Sequence, residues 1–231
     1  MANDAARAEK IRGIKAKIAR MGATYRPGNA SKPGHLYSPL PFKEFEDIPY
    51  QREAVQERFE LIRPHLPTAI QNPRLLDVGC HAGYNCFRFE ELGYACTGIE
   101  LDAPTVEIAR EVNDLYSRSV EFINAEATPE LIAGLGRFDV CLFFAIFQWI
   151  AKASGLPYAM EVTRTAMRSA PIMFFETSMG MEGKAKLPEL PDLDTVERML
   201  IGLGVHREVR CLGEIPAPLT FQARYVFITR A

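Results

Sequence analysis

Two acids and two glycines define the chemistry open to this chain. The run Leu75-Leu76-Asp77-Val78-Gly79-Cys80-His81-Ala82-Gly83 takes an apolar strand into an acid and then a glycine loop. Further on, Thr97-Gly98-Ile99-Glu100 ends a second apolar strand on another acid. Acids at the carboxyl ends of two neighbouring parallel strands make a nucleoside site. Glu100 can accept from both ribose hydroxyls. Asp77 stands where a dinucleotide would place its pyrophosphate; a carboxylate there repels phosphate but suits an ammonium group. The loop reads G-x-x-x-G, not G-x-G-x-x-G. Both points favour S-adenosylmethionine over NAD, because its methionine end carries the ammonium. Gly79 and Gly83 let the backbone approach a ligand closely, and the helix that follows offers free N–H groups to the methionine carboxylate. Cys80 and His81, inside the loop, join the same cradle. Leu101, Ala127 and Phe144, at or just past the ends of the second, third and fourth strands, are assigned to it as well. Glu126, after the third strand, could accept from the adenine amino group or be a solvated loop acid.

The elements needed to position these residues follow from pattern. Strands are expected at 74–78, 94–99, 120–124, 138–144 and 171–177, with helices at about 84–92, 104–114, 129–134 and 157–169 between them. Pro104, Pro129 and Pro157 each fit a first helical turn, and Asp102 and Thr128 fit as caps. This alternation implies an α/β, Rossmann-like, mostly parallel sheet with helices on both faces. After a helix at about 194–203 the pattern changes: strands at 206–212 and 224–229 are joined without a helix and should form a C-terminal antiparallel hairpin. Upstream, residues 3–21 read as a helix with an Ile11, Ile14, Ile18, Met21 stripe and basic residues on the other sides. Gly22–Pro41 is too rich in breakers for a regular element and reads as a linker or lid. A helix at Tyr50–Leu66 precedes the first strand. Residues 1–49 are therefore expected to form a basic helix and flexible lid or linker, and 50–231 the main domain.

Composition narrows the class. The 231 residues are 48% hydrophobic with a formal net charge of -2, enough for a sizeable core and without a global bias toward nucleic acid or membrane. None of the five cysteines forms a C-x-x-C pair, which reads as reduced, buried thiols of a cytoplasmic protein with no metal site. No apolar run reaches the ~18 residues that span a bilayer.

The stretch from Leu75 to Phe144 resembles the core of the class I S-adenosylmethionine-dependent methyltransferases. That resemblance implies a seven-stranded sheet with its last strand inserted antiparallel, although His81 stands where the family usually has its second loop glycine. Beyond the linker, the order Tyr50, Arg52, Phe59, glycine loop, Phe147-Gln148-Trp149, a short helix, Phe174-Phe175-Glu176 and a final Arg224-Tyr225-Val226 is similar to methyltransferase domains that act on bacterial surface-polysaccharide chain ends. This similarity implies that Tyr50 and Arg52 belong to a lid over the cofactor and that Arg224 lines the acceptor mouth. The family often has His-His where Gln148-Trp149 stands here. Trp149, the only tryptophan, could wall the acceptor pocket or pack a helix on the sheet.

Methyl transfer from a sulfonium relies on alignment and desolvation. A hydroxyl or amine acceptor also needs a base; a phosphate or carboxylate needs only a cation. The four histidines, His35, His65, His81 and His206, sit in no base motif, whereas Arg52, Lys184, Lys186 and Arg224 could hold an anion. The expected acceptor is a small molecule or a sugar or phosphate chain end. The rivals are an RNA methyltransferase using the basic N-terminal helix and a non-catalytic cofactor-binding scaffold. S-adenosylhomocysteine should bind with micromolar affinity, about -7 to -8 kcal/mol, and NAD should not compete. Glu100→Ala should weaken that binding about tenfold or more, because a charge-assisted contact is worth roughly 1.5–3 kcal/mol. Calorimetry that found NAD bound and S-adenosylhomocysteine unbound would refute the assignment.

Overall fold

The computed structural model describes residues 2–21, 34–51, 54–178, 187–215 and 224–231. Four βα units and a fifth strand run in order: β1 (Arg74–Val78), α3 (Tyr84–Glu90), β2 (Ala95–Glu100), α4 (Ala103–Leu115), β3 (Glu121–Asn124), α5 (Pro129–Gly134), β4 (Val140–Phe144), α6 (Phe147–Ser154) with α7 (Leu156–Ser169), and β5 (Ile172–Ser178). Then come α8 (Leu193–Gly202), β6 (Glu208–Ile215) and β7 (Arg224–Arg230). Before them stand α1 (Ala2–Arg20) and α2 (Val55–Ile62). The sheet order is β3-β2-β1-β4-β5-β7-β6. Pairings among β1 to β5 are parallel, and β7 runs antiparallel between β5 and β6.

Both faces of this sheet are covered, so successive residues of a central strand enter opposite core layers. Leu75 and Leu142 face one layer with Phe87 and Ile108, while Leu76 and Phe143 face the other with Phe147 and Val162. The expected caps are present: the Asp102 carboxylate accepts from the Thr105 N–H at 3.1 Å, and the Thr128 hydroxyl from the Leu131 N–H at 3.2 Å.

Three boundaries depart from the sequence reading. The helix expected from Tyr50 begins at Val55, because Tyr50 is bridged to Leu36 in extended backbone. An additional helix, α6, precedes α7; Gly155, at φ 89, makes the corner between them. The strand β6 runs on to Ile215 through an irregularity between Cys211 and Gly213, where an extra residue shifts the pairing register.

Residues 22–33 of the expected lid lie outside the described residues. Residues 34–51 are described, and Leu36, Leu40, Phe42 and Phe45 are buried there. The helix α1 shares their core layer through Ile14 and Ile18, and Met21 just past its end joins them. Its cations meet acids of the same chain: Arg7 with Glu44 at 2.7 Å, Lys15 with Asp47 at 2.6 Å, Lys17 with Glu107 and Glu111, and Arg12 with Glu9. The basic face expected to be solvated is largely spent on these partners.

The glycine loop is the tightest part of the fold. Gly79, at φ 78, donates to the Ile99 carbonyl at 2.8 Å, and a Cβ built on it would lie 2.3 Å from Ile146 Cγ2. Gly79→Ala should therefore cost about 2 kcal/mol or more through the left-handed backbone and the overlap together. A thermal-denaturation cycle with Ile146→Ala should recover the overlap share as a coupling of about 1 kcal/mol or more. Additive single effects would mean the loop absorbs the methyl elsewhere.

Candidate active site

Parallel pairing brings the carboxyl ends of β1 to β4 to one edge, with Asp77 level with Gly98 and Glu100 level with Asn124. At that edge the Glu100 carboxylate accepts two backbone N–H groups, His81 at 3.0 Å on Oε2 and Asp102 at 2.9 Å on Oε1. These bonds fix its plane and leave each oxygen a second lone pair, which is what a vicinal diol requires. Burial pushes the Glu100 carboxyl above its ordinary range, and the two N–H donors oppose that shift. Beside it, Asn124 Nδ2 donates to the carbonyls of Glu100 and Leu101, both at 3.0 Å. Leu101 is 68% exposed there, an apolar side chain offered to solvent at the nucleoside end. Ala127 is half-buried, and Glu126 is exposed at the rim.

Asp77 sits deeper than its motif suggests. It is 1% exposed, and its Oδ2 accepts from Asn85 Nδ2 at 3.3 Å and lies 3.7 Å from Cys86 Sγ. Burial pushes its carboxyl up to about 6, with Arg58 opposing the rise. Cys80 packs over Gly98, where a Cβ would come within 2.6 Å of its sulfur, and burial pushes its thiol up. That gives Cys80 a packing role beneath the loop.

A second constellation gathers beside the ends of β4, β5 and β7. Glu176, fully buried, accepts from Arg58 Nη1 at 2.9 Å and from Arg224 Nη1 at 3.2 Å. The Arg58 guanidinium lies over the Phe144 ring, 4.3 Å from its centroid. Arg224 Nη1 also donates to the Tyr37 hydroxyl at 3.3 Å. Sequence reasoning singled out Arg224 and Phe144 but gave no role to Arg58, Glu176 or Tyr37. A signal existed: Arg58 falls on the same helical face as Val55, Phe59 and Ile62, and all four are buried. A charge on an apolar stripe needs a buried partner. Glu176 at the end of the apolar Phe174-Phe175 run is that partner.

The remaining candidates are placed as follows. Tyr50 is 39% exposed and joins the site's surroundings through Leu36. Trp149 is half-buried, with the Lys152 ammonium 5.6 Å from its ring centroid. Gln148 is fully buried and holds Thr177 and the Ala145 carbonyl at 3.2 and 2.9 Å. Arg52, Lys184 and Lys186 lie outside the described residues. His206 is removed as a base: it is buried between Thr229 Oγ1 and the carbonyls of Met167 and Ala170, at the opposite end of β5 and β7. Burial pushes the His81 imidazole down to about 4.

The residues at this edge fit a nucleoside cofactor with an amino-acid end: a pinned carboxylate for a diol, an exposed apolar side chain beside it, and a cradle closed to Cβ atoms. Comparison with known proteins agrees. Residues 75–167 match the family described as "Methyltransferase domain". Ubiquinone biosynthesis O-methyltransferase of Brucella ovis is 25% identical over 152 residues, covering 65% of this chain and 56% of the relative. The Rhodopseudomonas palustris enzyme of the same name is 27% identical over 136 residues, covering 58% and 50%. The chain thus spans about half the length of the curated relatives it matches. Among solved structures, the bifunctional kinase-methyltransferase WbdD superposes with a TM-score of 0.72 at 17% identity, over 93% of this chain and 40% of that one. The N-terminal domain of EvdMO1 with S-adenosylhomocysteine bound superposes at 0.68 and 16%, over 97% of each. These matches support reading the chain as a class I S-adenosylmethionine-dependent methyltransferase.

Asp77 gives a pH test with a defined sign. Its folded-state pKa is raised, so the native form holds its proton longer than the unfolded chain does. Its share of stability is present below about 4 and is lost as pH rises toward about 6. Asp77→Asn should therefore stabilise the ligand-free protein at pH 7, by about 1–3 kcal/mol at most, and flatten the pH 4–6 slope. Denaturant melts across that range check it; a destabilised Asn variant with the slope retained would reverse the assignment.

Proposed function

We propose that this protein transfers a methyl group from S-adenosylmethionine to an oxygen of a small molecule or of a sugar or phosphate chain end. The observation that carries the reading is the Glu100 carboxylate, pinned by two backbone N–H groups beside an exposed Leu101 and the closed glycine loop. Glu100 would hold the ribose diol, Leu101, Ala127 and Glu126 the adenine side, and the loop with Asp77 the amino-acid end. The bound cofactor supplies an electrophilic methyl on a sulfonium, and the protein's task is to align the acceptor and exclude water. The relatives' names support oxygen as the receiving atom. A sugar is supported by the structural neighbour studied with D-fucose. The pairing of the α1 cations with this chain's own acids favours a small acceptor over RNA.

Activation of the acceptor follows from what stands at its end of the site. Arg58 and Arg224 flank Glu176, with Tyr37 beside Arg224. Two guanidiniums on one carboxylate leave positive character at the mouth, which suits an acceptor that is already an anion, or one activated by alignment alone, without a base. Trp149 and Tyr50 would complete the wall. His81 is neutral over the working range because burial holds its pKa near 4, and His206 lies away from the site.

Mass spectrometry of a metabolite and glycan extract incubated with the enzyme and methyl-labelled S-adenosylmethionine would identify the product; absence of any labelled product would leave only the scaffold reading. With an acceptor in hand, the rate of the chemical step should show no ionisation between roughly pH 6 and 8. Arg224→Ala should raise the acceptor KM about tenfold or more, since a buried charge-assisted contact is worth roughly 1.5–3 kcal/mol. Its effect on S-adenosylhomocysteine binding should be much smaller. A rate governed by one group near 6.5 and lost in His81→Ala would overturn this account of activation.

A further inference from the structure

His81 occupies a position where a side chain is costly. Its φ is 51, a left-handed conformation uncommon outside glycine, although asparagine, aspartate and histidine adopt it more often than other side chains do. The residue nevertheless does two things at once. Its backbone N–H donates to Glu100 Oε2 at 3.0 Å, which places the residue against the nucleoside-binding carboxylate. Its ring reaches the opposite way, to Tyr37, whose backbone N–H approaches His81 Nε2 at 3.4 Å. A backbone N–H can only donate, so Nε2 accepts and the ring proton resides on Nδ1. That Nδ1 is buried and has no hydrogen-bond partner.

A buried N–H without an acceptor forfeits the hydrogen bond it would make in water. Buried groups of this kind call for an explanation. Around the ring, Tyr37 supplies a donor to Nε2 and an aromatic ring 5.9 Å away between centroids, and Asp102 is the charged group felt at the imidazole. Neither satisfies Nδ1. The residue lies in the glycine loop itself, two positions from Gly79 and from Gly83, both of which keep positive φ. An orphaned donor in the glycine loop calls for an acceptor that the described residues do not supply. Burial keeps the imidazole neutral, so the donor persists unchanged across neutral pH.

We propose that His81 Nδ1–H is a hydrogen-bond donor to an oxygen of the bound cofactor, the methionine carboxylate or a ribose hydroxyl, with its tautomer set by the Tyr37 backbone. The proposal rests on the cofactor reading above. It makes His81 a binding residue, not a base, and gives the segment carrying Tyr37 a direct hold on the cofactor site.

Calorimetry on the full chain tests it with two probes: S-adenosylhomocysteine, and 5′-methylthioadenosine, which keeps the ribose but lacks the amino-acid end. His81→Gly removes the ring at a backbone angle glycine accepts freely and should weaken S-adenosylhomocysteine binding about tenfold. His81→Asn places an amide N–H near the Nδ1 position, in a residue that tolerates positive φ, and should restore most of the loss. His81→Gln, whose amide reaches toward Nε2 instead, should restore less. Weakening confined to S-adenosylhomocysteine identifies the carboxylate as the acceptor; weakening of both probes identifies the ribose. Wild-type affinity for both probes in His81→Gly, or equal rescue by Asn and Gln, overturns the proposal. Failure of the wild-type protein to bind either probe would instead overturn the cofactor reading on which it rests.

Discussion

The Glu100 carboxylate is the tie on which this site depends. Its two oxygens take N–H groups from different connections, His81 in the β1–α3 loop and Asp102 at the start of α4. Those connections leave two adjacent strands, and only parallel pairing puts their carboxyl ends together. The carboxylate thus does structural work by itself, orienting the glycine loop against the start of α4. Its elevated pKa reflects the cost of keeping that charge half-buried, and a charge kept at such cost beside a ligand cradle is a mark of function.

The Arg58–Glu176–Arg224 constellation is organised by a different balance. Arg58, Glu176 and Arg224 come from α2, β5 and β7, elements far apart in the chain, and meet in a nearly dry environment. Removing one partner from a buried pair typically costs about 3–5 kcal/mol, while an apolar replacement of the whole set is often neutral. Stability alone therefore does not account for charges here. The network fixes Arg224 against Tyr37 and sets Arg58 over the Phe144 ring, where strand β4 ends.

The N-terminal helix connects to both halves indirectly. Arg7 joins Glu44, which also accepts from the Tyr116 hydroxyl at 2.6 Å, and Phe42 stacks on Tyr116. The segment 34–51 is thereby fastened between α1 and α4, and Tyr37 within it touches His81 on one side and Arg224 on the other. The surface ion pairs in this clasp are individually weak; the buried Ile14, Ile18, Leu36 and Phe42 carry most of its energy.

Periodicity and punctuation in the sequence determined the alternating βα order, the closing hairpin, the caps at Asp102 and Thr128, and the strand-tip acids Asp77 and Glu100. These are local signals: apolar spacing, proline in a first turn, glycine at a tight corner. The breaker-rich stretch before Tyr50 was legible only as irregular, because burial of Leu36 and Phe42 depends on α1 and α4 lying over them. Tertiary structure alone decided that Asp77 turns under the loop toward Asn85, that the α1 cations are consumed by Glu44, Asp47, Glu107 and Glu111, and that His206 lies at the wrong end of the sheet. It also decided that Arg58 and Glu176, 118 positions apart, complete the constellation around Arg224. A pair so distant leaves no spacing to read; only the sheet's order, which sets β7 between β5 and β6, brings those charges to one place.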